Sequence, residues 1–210
     1  MKTGKKTIVV GITGGIGSGK TTVANIIKQK GYTVIFTDDL AKELMISDSN
    51  VRKKLIGEFG EEVYHSDGSL NRQFLAQKVF GDSNEHNIAL KKLNSIIHPR
   101  VIEEMIQLVE NFEKEGEKLI FIESALIYEA QLEEGFDYII VVDSNKDNCI
   151  ERTIDKLGTT KEHVINRMKE QIPLSEKKKY ADFVIENNGT IEDLEKSVGF
   201  ILEIIKNLSF

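Results

Sequence analysis

The sequence predicts an α/β fold, a five-stranded parallel sheet with helices on both faces. Three observations predict it. Short, nearly continuous apolar runs recur at residues 7–12, 32–37, 118–122, 138–143 and 183–185, the pattern of strands buried on both faces. Segments with apolar residues at helical spacing lie between them. The first strand, helix and strand follow one another directly, which makes a βαβ unit and hence a parallel sheet.

Each element has a local reason. The run at 7–12 is β-branched and ends in glycines; a helical pattern then runs from Lys20 to about residue 30, where Gly31 closes it. Residues 39–113 read as mostly helical, with Val51, Leu55, Ile56 and Phe59 on one face before Gly60. Val101, Met105, Leu108 and Phe112 mark another face. Helices are expected near 147–156 and 160–171, and the last carries Leu194, Val198, Ile201, Leu202 and Ile205 on one side. The chain thus reads as one domain. Its core is about 7–37, 117–145 and 181–210, with helical insertions at about 38–113 and 146–175.

With 28 basic and 34 acidic residues among 210, the net charge is −6, which gives no basic face for nucleic acid. Cys149 is the sole cysteine, so no intramolecular disulfide or cysteine-rich metal site exists, and it reads as a packing residue. The four histidines are too scattered for a metal site. The apolar run near Met1 is too short for a signal segment or a membrane span, so a cytoplasmic location is expected. No obligate protein partner is evident.

The chemistry is concentrated at residues 14–21, Gly-Gly-Ile-Gly-Ser-Gly-Lys-Thr, which fit the Walker A pattern G-x-x-x-x-G-K-[ST] in full. Its glycines let the backbone N–H groups turn inward as an anion nest, and the helix starting near Lys20 adds its positive end. Gly15, Ile16, Gly17, Ser18, Gly19, Lys20, Thr21 and Thr22 are therefore the candidate nucleotide-binding residues. Lys20 can bridge the β- and γ-phosphates, and the Thr21 hydroxyl can ligate Mg²⁺. A bland glycine turn has no reason to put Lys-Thr at this point between a strand and a helix. The fold class sharpens to a P-loop kinase-like sheet or its GTPase relative. The GTPase reading needs Asn-Lys-x-Asp, whereas the chain has Asn145, Lys146, Asp147 and Asn148, and no Asp-x-x-Gly follows the third strand.

Matches in order along about 8–189 decide between them. The opening from Gly11 to Ala24, Arg72 with Val79 and Phe80, and Leu93-Asn94 with His98-Pro99 resemble stretches of the dephospho-CoA kinase family. So do Leu126-Ile127-Tyr128-Glu129, Arg167 with Gln171, and the run from Ala181 through Asn187 to Gly189. The resemblance implies transfer of the ATP γ-phosphoryl to the 3′-hydroxyl of dephospho-CoA, with Mg²⁺. The rival is a sibling kinase acting on a nucleoside monophosphate or other small alcohol.

The resemblance also implies roles. Lys20, Asp38 and Arg152 are the catalytic candidates; Asp38 is expected at the end of the second strand, facing the loop, with Asp39 as a helix cap. A carboxylate there can take the proton of the attacking hydroxyl. Glu123, at the end of the third strand, would hold Mg²⁺ through water beside Thr21. The insertion at 146–175 would close as a lid bearing Arg152 and Arg167, and Asn187 would line the adenine pocket. The insertion at 38–113 would bind the acceptor, with Asp38, Arg72, His98, Leu126 and Glu129 as contacts. Departures from the family pattern are Phe36, Asn71, Ala125 and Lys156-Leu157, the last two replacing an Arg-Asp pair of the lid.

Overall fold

The structure, a computed structural model, describes residues 7–81 and 83–209. The chain opens with β1 (Ile8–Gly14), α1 (Lys20–Gln29) and β2 (Thr33–Phe36). Four helices follow: α2 (Thr37–Ser47), α3 (Ser49–Phe59), α4 (Arg72–Val79) and α5 (Asn84–Glu115). Then come β3 (Leu119–Glu123), β4 (Tyr138–Asp143), α6 (Lys146–Leu157), α7 (Lys161–Lys169) and α8 (Leu174–Lys177). The chain ends with β5 (Phe183–Glu186) and α9 (Ile191–Ser209). Two compact units form: one takes the chain up to Phe36 and from Asn111 onward, the other is Thr37–Glu110.

The first unit holds the sheet, parallel throughout, in the order β2-β3-β1-β4-β5. Strand alternation divides its side chains between two faces. Val10, Ile12, Phe121, Ile140 and Val142 pack with Val23 and Ile27 of α1 and with Leu194, Val198, Leu202 and Ile205 of α9. Ile139 and Val141 point the other way and pack with Ile127 and Tyr128. Each such side chain contributes about 1.5–3 kcal/mol by leaving water. β1 runs two residues further than the sequence suggested, to Gly14, because as the central strand it pairs with β3 on one side and β4 on the other. β2 is shorter than expected: it pairs only with β3, from Thr33 opposite Ile120 to Phe36 opposite Glu123, and Thr37 already begins α2.

The second unit is helical, as its periodicity implies. Leu40 and Leu44 of α2, Val51 and Leu55 of α3, and Leu93, Ile97, Val101 and Met105 of α5 are buried. α5 is one continuous helix of 32 residues despite Pro99; the proline removes one main-chain donor without ending it. Tyr64 donates to the Met45 carbonyl at 2.6 Å, and the Arg52 guanidinium lies 4.0 Å from the Tyr64 ring centre. No helix among the described residues is long and apolar enough to cross a membrane.

Asp48 joins two helices of this unit. Its Oδ1 caps α3 by accepting from the N–H groups of Asn50 and Val51 at 2.8 and 3.0 Å, and its Oδ2 accepts from Arg100 of α5 at 2.7 Å. The Arg100 hydrogen bond, followed by that from Val51, holds the Asp48 carboxyl below the usual carboxylate range. Such a group stabilises the fold above its unfolded pKa, near 3.9, and loses that contribution as pH falls through the lower folded value. Asp48→Asn keeps a capping oxygen and loses the charge. Thermal melts should show it less stable than wild type at pH 7, with the gap closing as pH falls below about 3.9, the unfolded value. Asp48→Ala should lose roughly 1–2 kcal/mol for the cap as well, and should remain the less stable protein in acid.

Candidate active site

Residues 14–21 form a loop fixed at both ends, by the pairing of Gly14 with Val142 and by the start of α1 at Lys20. Gly17 and Gly19 have φ of 75° and 95°, a region other residues enter only with strain. They also admit neighbours that a Cβ would exclude. At Gly17 it would overlap the Cys149 carbonyl, and at Gly19 the side-chain amide of Asn187.

The loop's donors divide into two sets. The Ser18 N–H donates to the Gly15 carbonyl at 3.2 Å, and the Ile16 N–H to Gln171 Oε1 at 3.0 Å. The N–H groups of Gly15, Gly17, Gly19, Lys20, Thr21 and Thr22 meet no acceptor among the described residues. α1 has no side-chain cap either, so its positive end faces the same space. The Lys20 ammonium makes no ion pair or hydrogen bond among the described residues. The free donors from Gly17 to Thr22 and a cation around one turn form a candidate site for a polyphosphate.

Beside it, the Thr21 hydroxyl donates to Glu123 Oε1 at 3.3 Å, and Glu123 is 2% exposed at the end of β3. A hydroxyl and a buried carboxylate next to phosphate oxygens are hard oxygen donors of the kind Mg²⁺ takes. No cluster of three or more His, Cys, Asp or Glu side chains able to hold a metal occurs among the described residues. An ion held here would therefore complete its shell with nucleotide oxygens and water.

The loop is braced from the carboxyl ends of β4 and β5. Asn187 is buried; its Nδ2 donates to the Ser18 carbonyl at 2.9 Å, and its own carbonyl accepts from Arg152 at 3.1 Å and from Ser144 at 2.9 Å. Arg152 reaches Ser144 Oγ at 3.3 Å as well, which turns its guanidinium toward the loop end of the sheet. Lys156, one turn further along α6, is exposed. Arg167 is half-buried in α7. The stretch resembling a guanine-reading element is a helix cap: Asn145 accepts from the Asn148 N–H at 2.8 Å at the start of α6. Cys149 is buried, with its thiol pushed up by burial.

Beyond β3, the Leu126 N–H donates to Ser124 Oγ at 3.3 Å, and Leu126 is half-buried. Glu129 Oε1 lies 2.7 Å from the ammonium of Lys177, a lysine with 0% exposure, which also donates to the Ala125 carbonyl at 3.2 Å. Lys177 escapes sequence reading because it opens a Lys-Lys-Lys run that looks like a solvated surface. The contact of Gln171 with the loop had one signal, its place in the Arg-x-x-x-Gln spacing.

In the second unit, Asp38 corrects an expectation. It lies in the first turn of α2 and is exposed, not at a strand end, because β2 stops at Phe36. Asp39 is no cap either; it pairs with Lys42 at 2.6 Å. His98 of α5 is half-buried, and burial pushes its imidazole below the ordinary histidine range while the Asp38 charge opposes that shift. Asp38 and His98 thus share one electrostatic neighbourhood. Arg72 is exposed at the start of α4, and Asn71 caps that helix by accepting from the Phe74 N–H at 3.1 Å. Asparagine caps as well as aspartate does, which explains that departure.

Comparison with known proteins agrees with this geometry. The family model for dephospho-CoA kinase matches residues 8–193. A dephospho-CoA kinase of Listeria monocytogenes is 37% identical over 199 residues, 94% of this chain and 98% of that protein. One from Corynebacterium glutamicum is 38% identical over 189 residues, covering 90% and 95%. A crystal structure of a Thermus thermophilus protein superposes with a TM-score of 0.75 at 33% identity, covering 96% of this chain and 99% of that one. With the motif, the sheet order and these matches in agreement, the chain belongs to the dephospho-CoA kinase family.

Proposed function

We propose that this protein transfers the γ-phosphoryl of ATP to the 3′-hydroxyl of the dephospho-CoA ribose, producing CoA and ADP. The observation that carries the acceptor is the family match across residues 8–193, which takes in the helical insertion as well as the sheet. The free donors of the loop support the nucleotide. The reading places the reaction in the cytoplasm, with ATP and dephospho-CoA as the partners.

The N–H groups from Gly17 to Thr22 and the Lys20 ammonium grip the phosphates and draw off charge as the γ-phosphoryl loosens. Thr21, directly, and Glu123, through water, would hold Mg²⁺, which when bound would supply positive charge to offset that of the phosphates. Asp38 takes the proton of the ribose hydroxyl as its oxygen bonds to phosphorus and the bond to the β-phosphate oxygen breaks, ADP keeping that electron pair. Arg152 faces the charge on the transferred group from α6. Arg72, His98, Leu126 and Glu129 are the acceptor-side candidates; of these, Glu129 is already committed to Lys177.

A coupled assay with ATP, Mg²⁺ and a panel of acceptors tests the reading. ADP release is expected with dephospho-CoA; release with AMP, CMP or shikimate but none with dephospho-CoA would refute it. Lys20→Ala should lose both ATP affinity and turnover. Asp38→Asn, which keeps size but not the base, should lower kcat on the order of 10²–10⁴-fold. Near-normal turnover in that variant would remove Asp38 from the chemistry.

Arg152 and Lys156 separate by burial and geometry. Arginine offers a planar fork for phosphate oxygens, and Lys156 is an exposed point charge. Arg152→Ala should lower kcat by about 10³-fold or more at saturating substrates. Lys156→Ala should cost less, and Lys156→Arg should leave activity equal or higher. A larger loss from Lys156→Ala than from Arg152→Ala would contradict this assignment.

A further inference from the structure

Gln171 touches the loop from a direction the phosphate grip does not explain. It lies two residues beyond α7, and its Oε1 accepts the Ile16 N–H at 3.0 Å across 155 residues of sequence. A backbone N–H can only donate, so the atom facing it is the amide oxygen, and the side-chain orientation is fixed. The next residue is held too: the Ile172 N–H donates to Glu129 Oε1 at 3.1 Å. That oxygen is the one paired with fully buried Lys177. Such a pair is hard to break, because either charge left alone in the interior is strongly penalised. Residues 171–172 are therefore anchored to the segment after β3 while Gln171 reaches the loop. Ile16 immediately precedes the turn at Gly17, whose N–H and those of Gly19 to Thr22 meet no acceptor among the described residues.

We propose that Gln171 is a positioning residue for the phosphoryl transfer. Its carbonyl holds the tip of the phosphate-binding loop through Ile16 and ties the loop's shape to the segment that follows α7. The inference rests on the kinase reading above. With Ile16 satisfied by the chain itself, the remaining donors are oriented before nucleotide arrives, and binding need not order them.

Gln171→Met keeps the side chain's length and removes the acceptor; Gln171→Glu keeps an acceptor oxygen. Both are compared with wild type by thermal melting, amide hydrogen exchange at Ile16, calorimetric binding of Mg²⁺-ADP, and steady-state kinetics. In Gln171→Met, the Ile16 amide of the nucleotide-free protein should exchange about tenfold faster, and Gln171→Glu should restore its protection. ADP affinity and the KM for ATP should weaken about fivefold in Gln171→Met, as loss of one hydrogen bond implies, with the KM for dephospho-CoA within about twofold of wild type. Unchanged exchange at Ile16 or unchanged ADP affinity in that variant overturns the proposal. So does a rise confined to the KM for dephospho-CoA, which would make Gln171 an acceptor contact. Wild-type protein that binds ADP but phosphorylates no dephospho-CoA refutes the kinase reading instead, and exchange with ADP affinity still decides the role of Gln171.

Discussion

A phosphate-binding loop carries more backbone donors than its own chain accepts, and the sheet unit is arranged around that surplus. Five N–H groups between Gly17 and Thr22 meet no acceptor among the described residues. An unsatisfied donor costs about 1–3 kcal/mol when it is buried, so the loop stays open to an anion at the carboxyl edge of the sheet. Those five donors do not hold it, so the rest of its backbone and its neighbours must. Its carbonyl at Ser18 accepts from Asn187, its flank at Gly17 packs on the Cys149 carbonyl, and its tip at Ile16 is taken by Gln171.

These supports come from far along the chain. Asn187 reaches Ser18 across 169 residues and Gln171 reaches Ile16 across 155. The parallel sheet makes this possible, because β1, β4 and β5 end on the same side, and whatever follows each strand arrives at one edge. Arg152 is placed by the same logic. It is turned by the Asn187 carbonyl and Ser144 Oγ, both at strand ends, so the charge that would face a transferred phosphoryl is oriented by groups that also shape the loop.

The second unit is governed by burial of helices and by a few polar joints. Arg100 spans Asp48 and Glu104, at 2.7 and 2.6 Å, so the start of α3 and one face of α5 are joined through a single guanidinium. His98 and Asp38 lie close enough for the carboxylate to act on the imidazole, yet burial dominates and favours the neutral ring.

The fold was legible because its signals are local. Apolar runs marked all five strands, and the glycine-rich turn with Lys20-Thr21 fixed the ligand class, since backbone turn, helix end and cation lie within eight residues. Strand ends were less legible. The reach of β1 to Gly14 depends on two neighbours, and the early end of β2, which moves Asp38 into a helix, depends on having only one. Asn145 shows the limit from another side: a nearly correct recognition motif is, in space, a helix cap. The sequence by itself determined the sheet, the loop and the chemistry of its donors, because each follows from neighbours along the chain. Tertiary structure alone decided that Lys177 is buried against Glu129, that Asn187 and Gln171 brace the loop, and which N–H groups remain free. Those outcomes are set by contacts between residues dozens to more than a hundred positions apart, which no local pattern encodes.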